Sequence, residues 1–291
     1  MNKNYFISTE SGCDLSLATC EKYGITPMFM KCACEDVTYV DTMLDADTLE
    51  IYRMMREEGK TFKTSQISIG EYYDFFGGML RTGKPVVHIA IGSGISGSYN
   101  NACQAAEMLR GEIEGAEIYI VDSLSASAGF GILAIEAAKN REAGMSAFEC
   151  AQDITEKRHH SHACYTTDTL TYLARGGRIT PMSASIGNKL GIKPIMKLDP
   201  AGHLLVASKA IGRTAALRKI VEYVRGTVEN PEEQTLYVAH ADNIVSAEEV
   251  AVLLKKEFGF KDIAYSFIGS TIGSHTGPDL QAVFYFGKER A

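Results

Sequence analysis

The sequence predicts an α/β protein of two domains, with the N-terminal one built on a mostly parallel sheet flanked by helices and the C-terminal one on a mixed sheet. Three observations carry this. The chain has 291 residues, close to twice an ordinary domain of roughly 150. Its first half alternates short apolar runs with amphipathic segments, the pattern of βαβ units. In its second half, Ile192 to Leu198 and His203 to Ser208 flank Asp199-Pro200-Ala201-Gly202, a turn tetrapeptide that joins two strands antiparallel. The boundary is placed after residue 158, giving domains 1–158 and 159–291.

Along the first domain, strands are expected at Tyr5 to Ser8, Thr26 to Lys31, Val86 to Ile91 and Ile118 to Val121, short apolar runs of the length a buried strand needs. Helices fall between them: Leu15 to Tyr23 stopped by Gly24, and Thr48 to Glu58 stopped by Gly59. A third begins at Ser68, whose spacing to Glu71 is that of a capping box, in which hydroxyl and carboxylate each satisfy an orphan amide. A fourth follows the glycine-rich segment near residue 95, and a fifth runs from Ser125 to about Arg141. Ser146 and Glu149 repeat the capping-box spacing and open a polar-faced helix ending near His159-His160, the expected bridge between domains. Beyond it lie a strand from Ser161 to Thr167, helices at Thr214 to Val224 and Ala247 to Phe258, and strands at Leu236 to Ala239, Ile263 to Phe267 and Ala282 to Phe286.

Composition narrows the function. Lys plus Arg number 29 and Asp plus Glu 36, a formal charge of −7, with no Lys/Arg-rich run. Displacing counterions from a polynucleotide, or docking on anionic lipid, needs a basic surface, so nucleic acid and stable membrane insertion are disfavoured as partners. No apolar stretch approaches bilayer length and the N-terminus lacks a signal-peptide core, which places the protein in the cytoplasm. Seven cysteines form no paired framework, as expected of reduced thiols. Cys32-x-Cys34 has no second pair at zinc spacing. His160, His162 and Cys164 share one face of their strand, and without a fourth ligand that face is expected to be solvated.

Three polar clusters could carry chemistry. Gly92-Ser93-Gly94-Ile95-Ser96-Gly97 follows the strand ending at Ile91 and precedes a helix, so tight turns expose amides at a helix N-terminus. It matches G-x-G-x-x-G, and Asp122 ends the next strand about where a ribose-binding acid is expected. A dinucleotide enzyme is therefore one reading. The fingerprint normally sits in the first βα turn, however, and the hydroxyls of Ser93, Ser96 and Ser98 suit a neutral donor cage for one small anion. Thr64-Ser65-Gln66 is a second cluster, expected to face the same crevice at the strands' carboxyl ends. The third, Gly269 to Asp279, is expected to be a shaped loop presenting His275, a donor from either ring nitrogen. No G-x-S-x-G elbow and no Walker A sequence occurs.

Taken together, four segments resemble the DegV family of bacterial fatty-acid-binding proteins: Ser8-Thr9-Glu10-Ser11 through Asp14-Leu15, Thr64-Ser65-Gln66, Ser93 to Tyr99, and His275-Thr276-Gly277-Pro278. Leu173 to Ile179 and Ile192-Lys193-Pro194-Ile195 are similar to two more of its motifs, and order and spacing fit nearly the whole chain. Departures are Glu10 where the family often has Asp, Ile67 where it often has Pro, and Gly92 where Ser is common. The resemblance implies two α/β domains with an acyl chain buried between them. It also implies a non-catalytic role, presenting a long-chain fatty acid to a separate ATP-dependent fatty acid kinase that makes an acyl phosphate for phospholipid synthesis. By matching motif, the carboxylate-binding residues would be Thr64, Ser65, Ser93, Gly94, Ser96 and His275, with Arg178 near the head group or the docked kinase. No cofactor and no metal is implied. The other readings are the dinucleotide enzyme using Gly92 to Gly97 and a sugar- or phosphate-binding regulator.

Overall fold

The structure, a computed structural model, describes residues 4–180 and 191–291. The first domain is built on four parallel strands in the order β2-β1-β6-β7: β1 (Phe6–Glu10), β2 (Ile25–Met28), β6 (Val86–Ala90) and β7 (Ile118–Asp122). Every residue of β6 is buried, as a central strand covered on both faces demands. Pro27 lies on β2, at the sheet edge, where its missing N–H costs no ladder bond. The helices are α1 (Leu17–Tyr23), α2 (Asp45–Glu57), α3 (Ile69–Leu80), α4 (Ser98–Glu112), α5 (Ala128–Ala143) and α6 (Ala147–Lys157). Both capping boxes form, at Ser68/Glu71 and Ser146/Glu149.

The second domain carries a six-stranded mixed sheet in the order β10-β9-β8-β13-β11-β12. Its strands are β8 (Ser161–Thr166), β9 (Ile192–Leu198), β10 (Leu204–Ile211), β11 (Thr235–His240), β12 (Asp262–Phe267) and β13 (Gln281–Phe286). Only β11 and β12 pair parallel, and β9 and β10 form the expected antiparallel pair, with Gly202 of the turn at φ +84°. Among the described residues its helices are α7 (Thr171–Arg175), α8 (Arg213–Thr227), α9 (Ile244–Phe258) and α10 (Ser270–Thr276).

Helix α5 ties the domains together. It is buried along almost its whole length because it packs between β1 and β6 on one side and β8 and β13 on the other. Small residues let the layers close: a Cβ on Gly131 would stand 2.7 Å from the Cys13 carbonyl oxygen, and one on Gly129 would stand 3.1 Å from the Phe284 ring.

Four expectations are corrected. The run Thr26 to Lys31 is not one strand: it breaks at Phe29-Met30, where Met30 N–H donates to the Ser11 hydroxyl (3.0 Å). The chain then enters a small antiparallel sheet, β4-β3-β5, made of β3 (Lys31–Cys34), β4 (Val37–Val40) and β5 (Lys63–Ser65). These strands are too short for a periodicity reading, and Cys32, Cys34 and Phe62 pack into one cluster with Ile268, Leu280, Ala282 and Phe284 of the second domain. Helix α5 starts at Ala128 rather than Ser125, because Leu124 (φ 50°) and Ser127 (φ 55°) turn the chain first. Strand β8 is buried on both faces, with His162 between Tyr223 OH (3.0 Å) and the Lys288 carbonyl (2.8 Å) and stacked on Tyr285. Residues 270–276, expected as loop, form α10, whose poor helix formers are held by tertiary contacts rather than propensity.

Tyr52 reaches from α2 to donate to the Ile268 carbonyl at 2.9 Å just before α10. Tyr52→Phe removes the donor without changing shape and should lower unfolding free energy by about 1–3 kcal/mol. In urea the midpoint falls at unchanged slope; an unshifted midpoint would show that the bond contributes nothing.

Candidate functional site

Chain direction places the site. From β1 the chain passes to β2 on one side and returns to β6 on the other, so the crevice at the carboxyl ends of β1 and β6 is a topological switch point. A cavity of ≈ 320 Å³ opens there between the domains. Ile91, Ile95 and Ala126, from connections after β6 and β7, form one wall. The facing wall is sheet: Ala163 and Tyr165 of β8 stand opposite Phe284 and Ala282 of β13, cross-strand neighbours that share a face. Leu173, Leu198, Leu204, Ile268, Ile272 and Leu280 close the apolar interior.

One end of the cavity is polar. His275, on the last turn of α10, has Nε2 2.6 Å from Thr64 Oγ1 on β5. Burial, then the nearby Arg178 charge, lowers the His275 pKa from 6.5 to about 4, so the ring is neutral at pH 7 and offers one donor and one acceptor. Ser65, Gln66, Ser96 and Gly97 line the same end. The two hydroxyl clusters face one crevice as expected, although Thr64 belongs to the small antiparallel sheet. They are tied together by Ile67 N–H to Ser98 Oγ (3.3 Å) and Asn101 Nδ2 to the Ile67 carbonyl (2.7 Å).

Arg178 also lines the cavity and donates to the backbone carbonyls of Ile95 (3.2 Å) and Gly176. Among the described residues no carboxylate pairs with it, nor with Arg175, which meets Thr61 Oγ1 (3.5 Å). Arg178 is the charged side chain that lines the cavity, in a chain of formal charge −7.

Of the six residues expected around a carboxylate, Thr64, Ser65, Ser96 and His275 line the cavity, and Ser93 and Gly94 do not. Ser93 is exposed, with its N–H on Asp122 Oδ1 (3.0 Å). Gly94 lies under the β9–β10 turn, where a Cβ would stand 2.9 Å from the Ala201 carbonyl oxygen. The other loop glycines are equally covered: a Cβ on Gly92 would be 2.7 Å from Ser125 N, and one on Gly97 would overlap the Gln66 carboxamide. Asp122 is already engaged by the N–H groups of Ser93 and Leu124, each at 3.0 Å. The surface on which a dinucleotide pyrophosphate would rest is thus filled by protein. Glu10 supports the loop from behind, accepting from Ile91 N–H (2.9 Å) and Tyr72 OH (2.6 Å).

Sequence reasoning missed two things. Gln66 was read only as part of a motif, yet its side chain lies on Gly97 at the polar end. The second is a buried latch at the start of α10. Asp14 Oδ1 accepts from Gly269 N–H (2.9 Å) and Oδ2 from the Ser127 hydroxyl, while Asp41 Oδ2 accepts from Ser11 Oγ (3.1 Å) and Thr271 N–H (3.3 Å). Burial pushes the Asp14 carboxyl well up, against the pull of the Ser127 bond, and the charge of Asp41 adds to the rise. These partners lie up to 255 positions apart in sequence, so no local spacing could reveal them.

The fold and the site together define a two-domain α/β protein with an apolar chamber between the domains, lined at one end by Thr64, Ser65, Ser96, His275 and Arg178. The chain belongs to the DegV family, described as "Uncharacterised protein, DegV family", whose sequence profile matches residues 5–288. A DegV domain-containing protein of Clostridium perfringens is 32% identical over 285 residues, covering 98% of each chain. The crystal structure of a DegV lipid-binding protein from Thermotoga maritima is similar with a TM-score of 0.86 at 26% identity, over 99% of this chain and 100% of that one. A second Thermotoga maritima structure, described as revealing fatty acid binding function, has a TM-score of 0.84 at 25% identity, over 98% and 99% of the two chains.

The neutral imidazole sets a pH dependence. His275 has a folded pKa of about 4 against roughly 6.5 in the unfolded chain, so between these values the unfolded state binds the extra proton. Its contribution is complete above pH 6.5 and is lost as pH falls through that window. His275→Ala should flatten the fall of the urea midpoint between pH 6.5 and 4, leaving the shares due to His162, which burial also lowers to about 4, and to His159 and His240, which burial lowers as well. An NMR titration of the His275 ring checks the origin directly, and a midpoint near 6.5 would contradict it.

Proposed function

We propose that the protein binds a long-chain fatty acid in the interdomain cavity and presents its carboxylate to a separate ATP-dependent fatty acid kinase for acyl phosphate formation. The observation that carries this reading is an apolar chamber whose polar end holds the Thr64–His275 pair, with the lining cation Arg178 bonded to backbone carbonyls. Thr64, Ser65, Ser96 and His275 hold the carboxylate, with Ser93 and Gly94 shaping the loop behind Ser96. Neutral donors hold a carboxylate without quenching it as a nucleophile, which an Arg clamp would do. The relatives described as lipid- or fatty-acid-binding support the ligand class.

The protein itself contributes no phosphoryl-transfer group. Transfer needs a nucleotide cradle and Mg²⁺ held by carboxylates, and the glycine loop carries neither lysine nor a free acid. The kinase supplies both, docking near Arg178. No cofactor takes part in binding, and the cytoplasm is the compartment where such a kinase has ATP.

Thr64→Ala, Ser96→Ala and His275→Ala should each weaken binding of a fluorescent fatty acid about tenfold or more, since a hydrogen bond to a charged group is worth roughly 1.5–3 kcal/mol. Wild-type affinity in the triple variant would end the assignment. Arg178→Ala should keep fatty-acid affinity yet lower acyl phosphate production, trapped with hydroxylamine in the presence of ATP and the kinase. ATP-dependent product formed by the protein alone, in proportion to its concentration through repurification, would show that it is an enzyme after all.

A further inference from the structure

Gly176 caps α7 with φ −74° and ψ −9°, a conformation open to every residue. Its backbone therefore does not require glycine. The space beside it does: a Cβ there would overlap His275 Nδ1 and stand 3.1 Å from Cε1. The next residue differs in kind, since Gly177 has φ +71° and nothing within 4 Å of its Cβ position. The contact at Gly176 is reciprocated, because Gly277, which caps α10, leaves room for the Tyr172 ring of α7, whose Cγ is 2.9 Å from the Gly277 Cβ position. The two short helices thus end against each other, each taking an aromatic side chain of the other into the space left by its capping glycine.

Two consequences meet at the polar end of the cavity. With its Nδ1 edge against Gly176, the imidazole keeps Nε2 on Thr64 Oγ1 at 2.6 Å. The Gly176 carbonyl also accepts from Arg178, the cation that helps keep the ring neutral. One residue without a side chain therefore seats the ring and anchors its charged neighbour.

We propose that Gly176 is a positioning residue for carboxylate recognition, acting through His275, and that its bare α-carbon sets the preference of the cavity for an acid over an alcohol of equal chain length. This rests on the reading of His275 as a head-group ligand. The probes are palmitic acid and cetyl alcohol, titrated against wild type, His275→Ala, Gly176→Ala and the double variant. Gly111→Ala, on α4 where a Cβ meets nothing within 4 Å, serves as a control that should match wild type. Gly176→Ala should lose about tenfold in acid-over-alcohol preference, as His275→Ala does, with alcohol affinity unchanged and the double variant no worse than either single. If His275→Ala loses the preference and Gly176→Ala keeps it, the seat is refuted while the head-group reading stands. If His275→Ala keeps the preference, the head-group reading fails and the seat with it. Should Gly176→Ala not fold, the double variant decides: recovery of folding once the imidazole is gone supports the seat, and continued failure overturns it.

Discussion

Asp14 takes a left-handed backbone conformation, φ 52°, uncommon for a residue with a side chain, and there it receives Gly269 N–H on one carboxylate oxygen and the Ser127 hydroxyl on the other. Its own carbonyl accepts from the Ser266 hydroxyl. The first domain, the start of α5 and the start of α10 are thereby joined at one buried carboxyl group. Burying it beside Asp41 carries a desolvation penalty of several kcal/mol when charged, offset by these bonds and by two helix N-termini that favour negative charge. Since α10 is only seven residues long, fixing its first turn fixes His275 on its last. The latch at the start of the helix and the Gly176 contact at its end thus hold His275 against Thr64 together.

The chamber closed in this way separates two tasks. On the proposed reading, apolar walls from both domains would take the acyl chain, where each buried methylene contributes about 0.8 kcal/mol, so affinity would not rest on the head-group contacts alone. The polar end is then free to be chosen for reactivity. In the proposed complex Thr64, Ser96 and a neutral His275 orient a carboxylate without neutralising it, while the cationic Arg178, which also lines the cavity, is bonded to backbone carbonyls rather than to an acid. Its charge adds to burial in lowering the pKa of His275.

The architecture was legible where apolar runs are bounded by turn and cap residues: β1, β6, β7, the β9–β10 hairpin and both capping boxes lie where these point. What it hid depends on distant contacts. Strands β3 to β5 are three or four residues each, too short for alternation, and exist because they pack on the second domain. Helix α10 reads as loop since Ser, Thr and Gly are poor helix formers, yet Tyr52, Asp14 and Asp41 hold it. In the glycine loop the motif was visible but the direction of its groups was not. Ser96 faces the cavity and Ser93 faces out, a difference decided by the Asp122 carboxylate on Ser93 N–H and the hairpin turn over Gly94.

The central claim is that an acyl chain occupies the interdomain cavity. Native mass spectrometry of protein purified without added lipid tests this most directly, with organic extraction to identify whatever is bound. The account predicts one free long-chain fatty acid per chain, released on denaturation, and its loss from a variant whose cavity is blocked by Ala163→Phe on β8 while the fold is retained. A protein that stays ligand-free when incubated with fatty acids, or one that carries a nicotinamide dinucleotide absorbing in the near ultraviolet, would contradict it.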